Sequence, residues 1–230
     1  MQATVGLRAK KSAILKAGIN FTGTIYRNGD IMGAKAVTKG DTKTALLEAG
    51  MDIMRDKGYT NTGIQEVLSS VGVPKGSFYH YFESKENFAV EVIHHYSQSY
   101  TAKLIYFLRD ESLQPLDRLK AYIDAGRDNF LAQNCCKGCL IGNLSQEMAD
   151  QSEELRQVLS QVMGKWRDLF ATCIDEGQAT GQISKRYSPV ELAEAFLSGW
   201  EGAIMRAKTT KNIEPLDIFN QVMFDGLLKA

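Results

Sequence analysis

Apolar residues recur at intervals of three and four along most of this chain, the spacing that lines one face of an α-helix. The first such segment runs from Thr42 to Lys57. It carries Ala45, Leu46, Ala49, Ile53 and Met54 on one side, with Asp41 as its cap and Gly58 as its stop. Thr62-Gly63-Ile64-Gln65 has the spacing of a capping box and opens a short helix to Ser70. Val71-Gly72-Val73-Pro74 predicts a tight turn, and Lys75 to Tyr81 a third short helix. Ser84 caps a long helix whose apolar ladder is Phe88, Val92, Tyr96, Tyr100, Leu104 and Leu108. Further helices are predicted from Leu116 to Gln133, Leu140 to Asp150 and Glu153 to Thr180. The last of these turns Leu155, Leu159, Val162, Trp166, Leu169 and Cys173 inward. Ser188-Pro189-Val190-Glu191 combines a cap, a proline at the first helical position and a glutamate at the third, and starts a helix to Lys208. Pro215 to Lys229 forms the last. There is no strand alternation and no internal repeat, so the predicted fold is all-α.

Residues 1–40 break this regularity. Glycines at 18, 23, 29, 33 and 40 interrupt every helical run. The segment holds seven bases and one acid, and reads as a flexible basic extension, either an arm for DNA phosphates or an inessential tail. The remaining 190 residues hold 20 bases and 26 acids, and the whole chain of 230 is formally neutral. Net charge therefore points to no nucleic acid, and such a function must rest on a local motif. An apolar content of 44% with only 4 prolines excludes a disordered or collagen-like chain. No apolar run is long enough to span a bilayer as a helix. Four cysteines are too few for a secreted disulfide scaffold, and the N-terminus lacks the apolar core of a signal peptide. A cytoplasmic protein with reduced thiols and no membrane partner is expected.

Ile64 to Phe82, IQEVLSSVGVPKGSFYHYF, carries the most specific information. Two short helices about a glycine-centred turn make a helix-turn-helix, whose second helix presents its N-terminal residues to a major groove. Phe78 and Phe82, four apart, are expected to pack inward. Tyr79, His80 and Tyr81 are left with polar tips for phosphate oxygens, and Lys75 and Lys85 bracket the edge with charge. Gly76 permits close backbone approach, and Ser77 offers a small hydroxyl.

The block VGVPKGSFYHYFESKENF, Val71 to Phe88, resembles the recognition-helix signature of the TetR family of bacterial regulators. The resemblance covers about residues 41–230, with Leu68 standing where the family more often has alanine. It implies a three-helix DNA-binding domain over 41–88 and an effector-sensing, dimerising domain over 89–230. It implies a homodimer on double-stranded operator DNA, with no enzymatic activity and no cofactor. It places Thr62, Gln65, Lys75, Ser77, Tyr79, His80, Tyr81 and Lys85 at the DNA face. For assembly, the last two helices offer Phe196, Leu197, Trp200 and Ile204, and Leu216, Phe219, Val222, Met223 and Leu227. These are apolar faces for a four-helix interface, or for packing within one subunit.

Cys135-Cys136-Lys137-Gly138-Cys139 allows several chemistries. A zinc site needs four ligands, and none of His80, His94 and His95 lies nearby in sequence, so no metal is assigned. A thioredoxin-like thiol would need a βαβ setting. Cys139 falls at the first turn of the helix from Leu140, where free N–H groups and the helix dipole favour a reactive thiolate, with Lys137 close by. The alternative is a small buried residue at a tight junction. GCLIGNLSQEMAD is similar to the matching segment of a NemR-like subgroup of TetR regulators. That resemblance makes Cys139 an electrophile-sensing cysteine and Lys208 a lysine near it. The expected function is a repressor released when an electrophile or oxidant modifies Cys139. One alternative is reversible binding of a small-molecule effector near Trp166, Phe130 and Tyr122. Another, of a different class, is a cysteine-based redox or zinc protein.

Overall fold

The computed structural model describes residues 39–230. The expected basic extension lies almost wholly outside them. The described residues form α1 Lys39–Lys57, α2 Ile64–Val71, α3 Phe78–Tyr81 behind a 3-10 turn at Lys75–Ser77, α4 Lys85–Leu108 and α5 Pro115–Ala132. These are followed by α6 Leu140–Met148, α7 Glu153–Ala179, α8 Pro189–Thr210 and α9 Glu214–Val222, which ends in a π-helical turn at Met223–Leu227. The only β-type pairing among them is an isolated bridge between Ile183 and Lys229. The all-α reading holds.

Most boundaries follow the local signals. Ser84 accepts the N–H of Asn87, and Ser188 and Glu191 exchange bonds in a full capping box. Gly58 ends α1 at φ +81°, and Gly72 ends α2 at φ +73°, a region where a side chain would be strained. Two expectations fail. α1 already includes Lys39, so Asp41 lies within the helix and not at the cap position before it. The box at Thr62 does not form either. Gly63 occupies the N-cap without a side-chain bond, while Thr62 turns inward and donates its hydroxyl to the Gly58 carbonyl at 2.6 Å.

α1, α2 and α3 pack on the N-terminal turns of α4 through an aromatic knot. Phe78, Phe82 and Phe88 are all buried, with ring centroids 4.8 to 5.2 Å apart. The rest of α4 enters a larger bundle with α5, α7 and α8. All six ladder residues of α4 are buried, Phe88 in the knot and the rest beyond it, as are Trp166, Phe170, Phe196 and Trp200 of the bundle. One helix is thus shared by both units. On α8 the face of Phe196, Leu197 and Trp200 is consumed inside the subunit, against α7 and α9. What stays exposed on these two helices is Val190 and Met205 of α8 and, four residues apart on α9, Ile218 and Val222. No helix among the described residues is long and apolar enough to cross a membrane.

Candidate DNA-reading head and effector site

The aromatic knot orients α3. With Phe78 and Phe82 fixed inward, the intervening positions face out. Tyr79 is 62% exposed, His80 is exposed and Tyr81 half-buried. Lys75 and Gly76 are exposed, and the space a side chain would fill at Gly76 is open. Ser77 is half-buried. Gln65, exposed on α2, donates to Ser69 at 3.3 Å. Two residues of the expected face are engaged within the protein. Thr62 is only 2% exposed. Lys85 donates to the Thr60 carbonyl at 3.2 Å, with its ammonium 4.5 Å above the Tyr59 ring. Partial burial lowers its pKa, against a nearby Glu147 that raises it.

The second site is the loop between α5 and α6. Asn134, Cys135 and Lys137 all adopt positive φ, as does Gly138. A left-handed conformation costs a non-glycine residue of order 1 kcal/mol, so the loop is held by its surroundings. Asn143 donates to the Lys137 carbonyl at 3.1 Å, Arg55 to that of Gly138 at 3.3 Å and Lys211 to that of Cys135 at 3.4 Å. Lys137 pairs with Asp56 at 3.2 Å. The loop is therefore anchored to the end of α1, inside the DNA-reading unit. One residue from the end of α6, the Glu147 carboxylate accepts the backbone N–H groups of Tyr59 and Thr60, both at 2.8 Å. Partial burial opposes ionisation of Glu147, but the Thr60 and Tyr59 bonds and nearby Lys85 overcome it and hold the pKa below the usual value.

Cys139 is the N-cap of α6, as the spacing predicts, without a side-chain capping bond, and the nearby N–H groups of Ile141 and Gly142 act to lower its pKa. The expected thiolate does not follow. The residue is 5% exposed, and burial, reinforced by Glu201, pushes its pKa well up despite those two N–H groups. Glu201 lies beside its thiol, and the Tyr96 hydroxyl lies 3.9 Å from the sulfur. Burial in turn raises the Glu201 pKa to about 7, with nearby Cys139 acting against the rise. Lys208 lines the same cavity, of about 1090 Å³, as Cys139 and Glu201. A different lysine, Lys211, touches the cysteine loop, with its ammonium 3.3 Å from the Cys136 sulfur. Cys173 is buried on α7 and donates to the Pro115 carbonyl. All four cysteines are free, and among the described residues no group of three or more Cys, His, Asp or Glu could hold a metal. Of the three aromatic residues expected around an effector, Phe130 lines a second, smaller cavity beside Cys139. Trp166 and Tyr122 lie behind it in the core.

Residues 46–92 match the family model described as bacterial regulatory proteins, tetR family, and residues 115–223 match the tetracyclin repressor-like C-terminal domain. The chain belongs to the TetR family. It is 38% identical over 177 residues to the transcriptional regulator AcuR of Cereibacter sphaeroides, covering 77% of this chain and 81% of that one. To the repressor DhaR of Mycobacterium sp. strain GP1 it is 38% identical over 185 residues, covering 80% and 91%. The solved structure of Escherichia coli NemR in its reduced form superposes with a TM-score of 0.74 at 29% identity, covering 82% and 97%. TetR-family regulators are DNA-binding and non-catalytic, and their fold implies a DNA-binding dimer. Identity to NemR is lower than to AcuR or DhaR, so family membership does not carry the narrower NemR-like assignment with it.

Arg55, Lys103, Glu147, Glu201 and Lys211 were not singled out from the sequence. Three of them carried a usable signal, a charge on an apolar stripe. Arg55 follows Met51 by four, Lys103 lies between Tyr100 and Phe107, and Glu201 lies between Leu197 and Ile204.

Proposed function

We propose that this protein is a homodimeric, operator-binding repressor, released from DNA by a small effector acting where the Cys135–Cys139 loop and α6 meet α1. The observation that carries the reading is the direct tie between that junction and the reading head, through Glu147 on Tyr59 and Thr60, Arg55 on Gly138, and Lys137 on Asp56. An effector that displaces α6 or the loop pulls on the end of α1. The signal then need not run the length of α4, and the spacing of two heads changes with one short helix. Gln65, Lys75, Gly76, Ser77, Tyr79, His80 and Tyr81 form the reading surface. Lys85 supports it, and Thr62 fixes the turn beneath it. The exposed stripe of Ile218 and Val222 pairs the subunits. Exposure and spacing support these roles. Operator binding by the full chain in a gel-shift titration, with loss of binding for Tyr79→Ala at unchanged melting temperature, tests the reading. Equal affinity of the variant overturns the assigned surface.

A second reading rests on Cys139. Its place at the N-cap of α6, where nearby N–H groups act to lower its pKa, a shared cavity with Lys208 and the likeness to NemR favour covalent sensing of an electrophile or oxidant. Burial and nearby Glu201 make reversible occupancy the better supported of the two, since both raise the pKa of the thiol and burial shields it. Cys139→Ser separates them. A variant that binds operator but ignores N-ethylmaleimide supports covalent sensing, and one that still releases DNA excludes it.

A further inference from the structure

The smaller cavity lies between the end of α1, the middle of α4, the last turns of α5, the cysteine loop and α8. Its lining holds two basic side chains, Arg55 and Lys103, and no acid. Both bases are buried, at 4% and 5% exposure. Arg55 spends one nitrogen, Nη2, on the Gly138 carbonyl, while its Nε and Nη1 are buried without a partner. The indole Nε1 of Trp200, on the same cavity, is also buried without one. The Lys103 ammonium lies 4.9 Å over the Tyr100 ring, and Asn129 and Gln133 complete a wall rich in donors. Unsatisfied buried donors are costly, and idle donors on a buried guanidinium are among the most costly. Arg55 and Trp200 both line this one space, which favours an acceptor there.

We infer that this cavity is the effector site and that it takes a small monocarboxylate, held by the Arg55 guanidinium, with Lys103 as second cation and Trp200 as further donor. A carboxylate is the anion the planar fork of arginine is shaped to bind, and the charge balance of the walls selects an anion over a neutral molecule. Burial lowers the Lys103 pKa well below its ordinary value in the empty cavity, and an arriving anion draws the proton back. Size restricts the guest. The cavity has a volume of about 40 Å³. At about 10–15 Å³ for each water-sized site, that holds roughly three or four such sites, which suits a chain of about two to four carbons. Occupancy bears on the reading head through Arg55 itself. The same side chain that would bind the carboxylate bonds the Gly138 carbonyl and belongs to the last turn of α1. A ligand competing for the guanidinium loosens the loop from α1. The inference rests on the repressor reading above only for this last step, since binding itself needs no DNA.

The test uses the full chain, with acetate, propionate and butyrate as carboxylates, propionamide as the neutral counterpart of propionate and octanoate as the oversized one. Sodium chloride is matched for ionic strength. Calorimetry and thermal melting without DNA report binding, and gel shift on the operator reports release. The expected result is that one or more short carboxylates raise the melting temperature by about 5 °C or more at saturation and weaken operator binding at least tenfold. Propionamide, octanoate and chloride should do neither. Arg55→Gln should lose the carboxylate response in calorimetry and melting, and, because it also removes the bond to the Gly138 carbonyl, should bind operator more weakly than the parent even without carboxylate. Should it fail to fold, Lys103→Met is expected to weaken carboxylate binding tenfold or more, and the comparison of propionate with propionamide on the unaltered protein still decides. Equal responses to propionate, propionamide and chloride, or an undiminished response in Arg55→Gln, overturn the site. Carboxylate binding without operator release keeps the site and overturns its link to the repressor reading. Absence of operator binding in unliganded protein overturns only that reading.

Discussion

The carboxylate of Glu147 accepts the main-chain N–H of Thr60 at 2.8 Å, across 87 residues of sequence. Its other oxygen takes the N–H of Tyr59, and these two groups belong to the turn that launches α2. Gly58, at φ +81°, leaves no room there for a side chain, because a Cβ would collide with the same carboxylate. The bond thus joins α6 to the glycine turn between α1 and α2, which is shaped around the carboxylate.

Glu147→Gln weakens this clamp and Glu147→Ala removes it, leaving two N–H groups without their partner. The expected loss is about 1–3 kcal/mol, read as a lower melting temperature. More telling is the effector dose required for operator release. It should change at least tenfold in Glu147→Gln, while affinity for operator in the absence of effector changes less. Unaltered dose dependence would show that the signal travels by another route.

Acid should loosen the same clamp. The Glu147 pKa is depressed in the folded protein, so its contribution is present above the ordinary carboxylate pKa and is lost as pH falls through the lower folded value. Glu201 has the opposite sign. Its folded pKa is raised to about 7, so the folded state holds a proton the unfolded state has released, and stability declines as pH rises from about 4.5 to 7. Glu201→Gln should abolish that decline and melt higher than the parent at pH 8, by an amount on the order of 1 kcal/mol once cavity solvent is allowed for. A parent and variant with parallel pH profiles would contradict it.

Thiol reactivity should follow exposure. Cys136 is half-exposed, whereas Cys135, Cys139 and Cys173 are buried. At pH 7, limited N-ethylmaleimide should label Cys136 first, the reverse of what the position of Cys139 at a helix N-terminus suggests. Peptide mass spectrometry at short times checks the order. Early labelling of Cys139 would show that the cavity opens readily in solution.

On the reading head, Tyr79→Ala and Lys75→Ala should each weaken operator binding about tenfold with little change in melting temperature, because both side chains stand clear of the core. Lys75→Ala should in addition reduce the slope of log affinity against log salt by about 1, the mark of one lost phosphate contact. Thr62→Val should behave differently. It deletes a buried hydroxyl bonded to the Gly58 carbonyl, so its effect should fall on stability, at about 1 kcal/mol.

Val222 is 63% exposed at the end of α9, beside exposed Ile218. Val222→Glu should shift the protein from dimer to monomer by light scattering and cut operator affinity by two orders of magnitude or more, since one head then binds alone. Persistence of the dimer would move the interface elsewhere on the bundle.

By itself the sequence determined the helices and their order, because capping residues, glycine stops and three-four spacing are local signals that act within a few residues. Ser84, Ser188 and Gly58 behave as their neighbours require. It also determined which side of α3 turns inward. Phe78 and Phe82 are four apart on one short helix, so burying them leaves Tyr79 and His80 outside. Only the tertiary structure decided the chemistry of the cysteine loop. A helix N-terminus favours a thiolate, but that local field is weaker than the desolvation imposed by residues distant in sequence, Tyr96 and Glu201 among them. The same holds for Thr62, whose spacing suited a cap and whose hydroxyl found the Gly58 carbonyl instead. Arg55 is the clearest case. One strong charge on an apolar face is visible in the sequence, yet whether it is paired, solvated or held with idle donors in a closed cavity depends on helices that meet it only when the chain has folded.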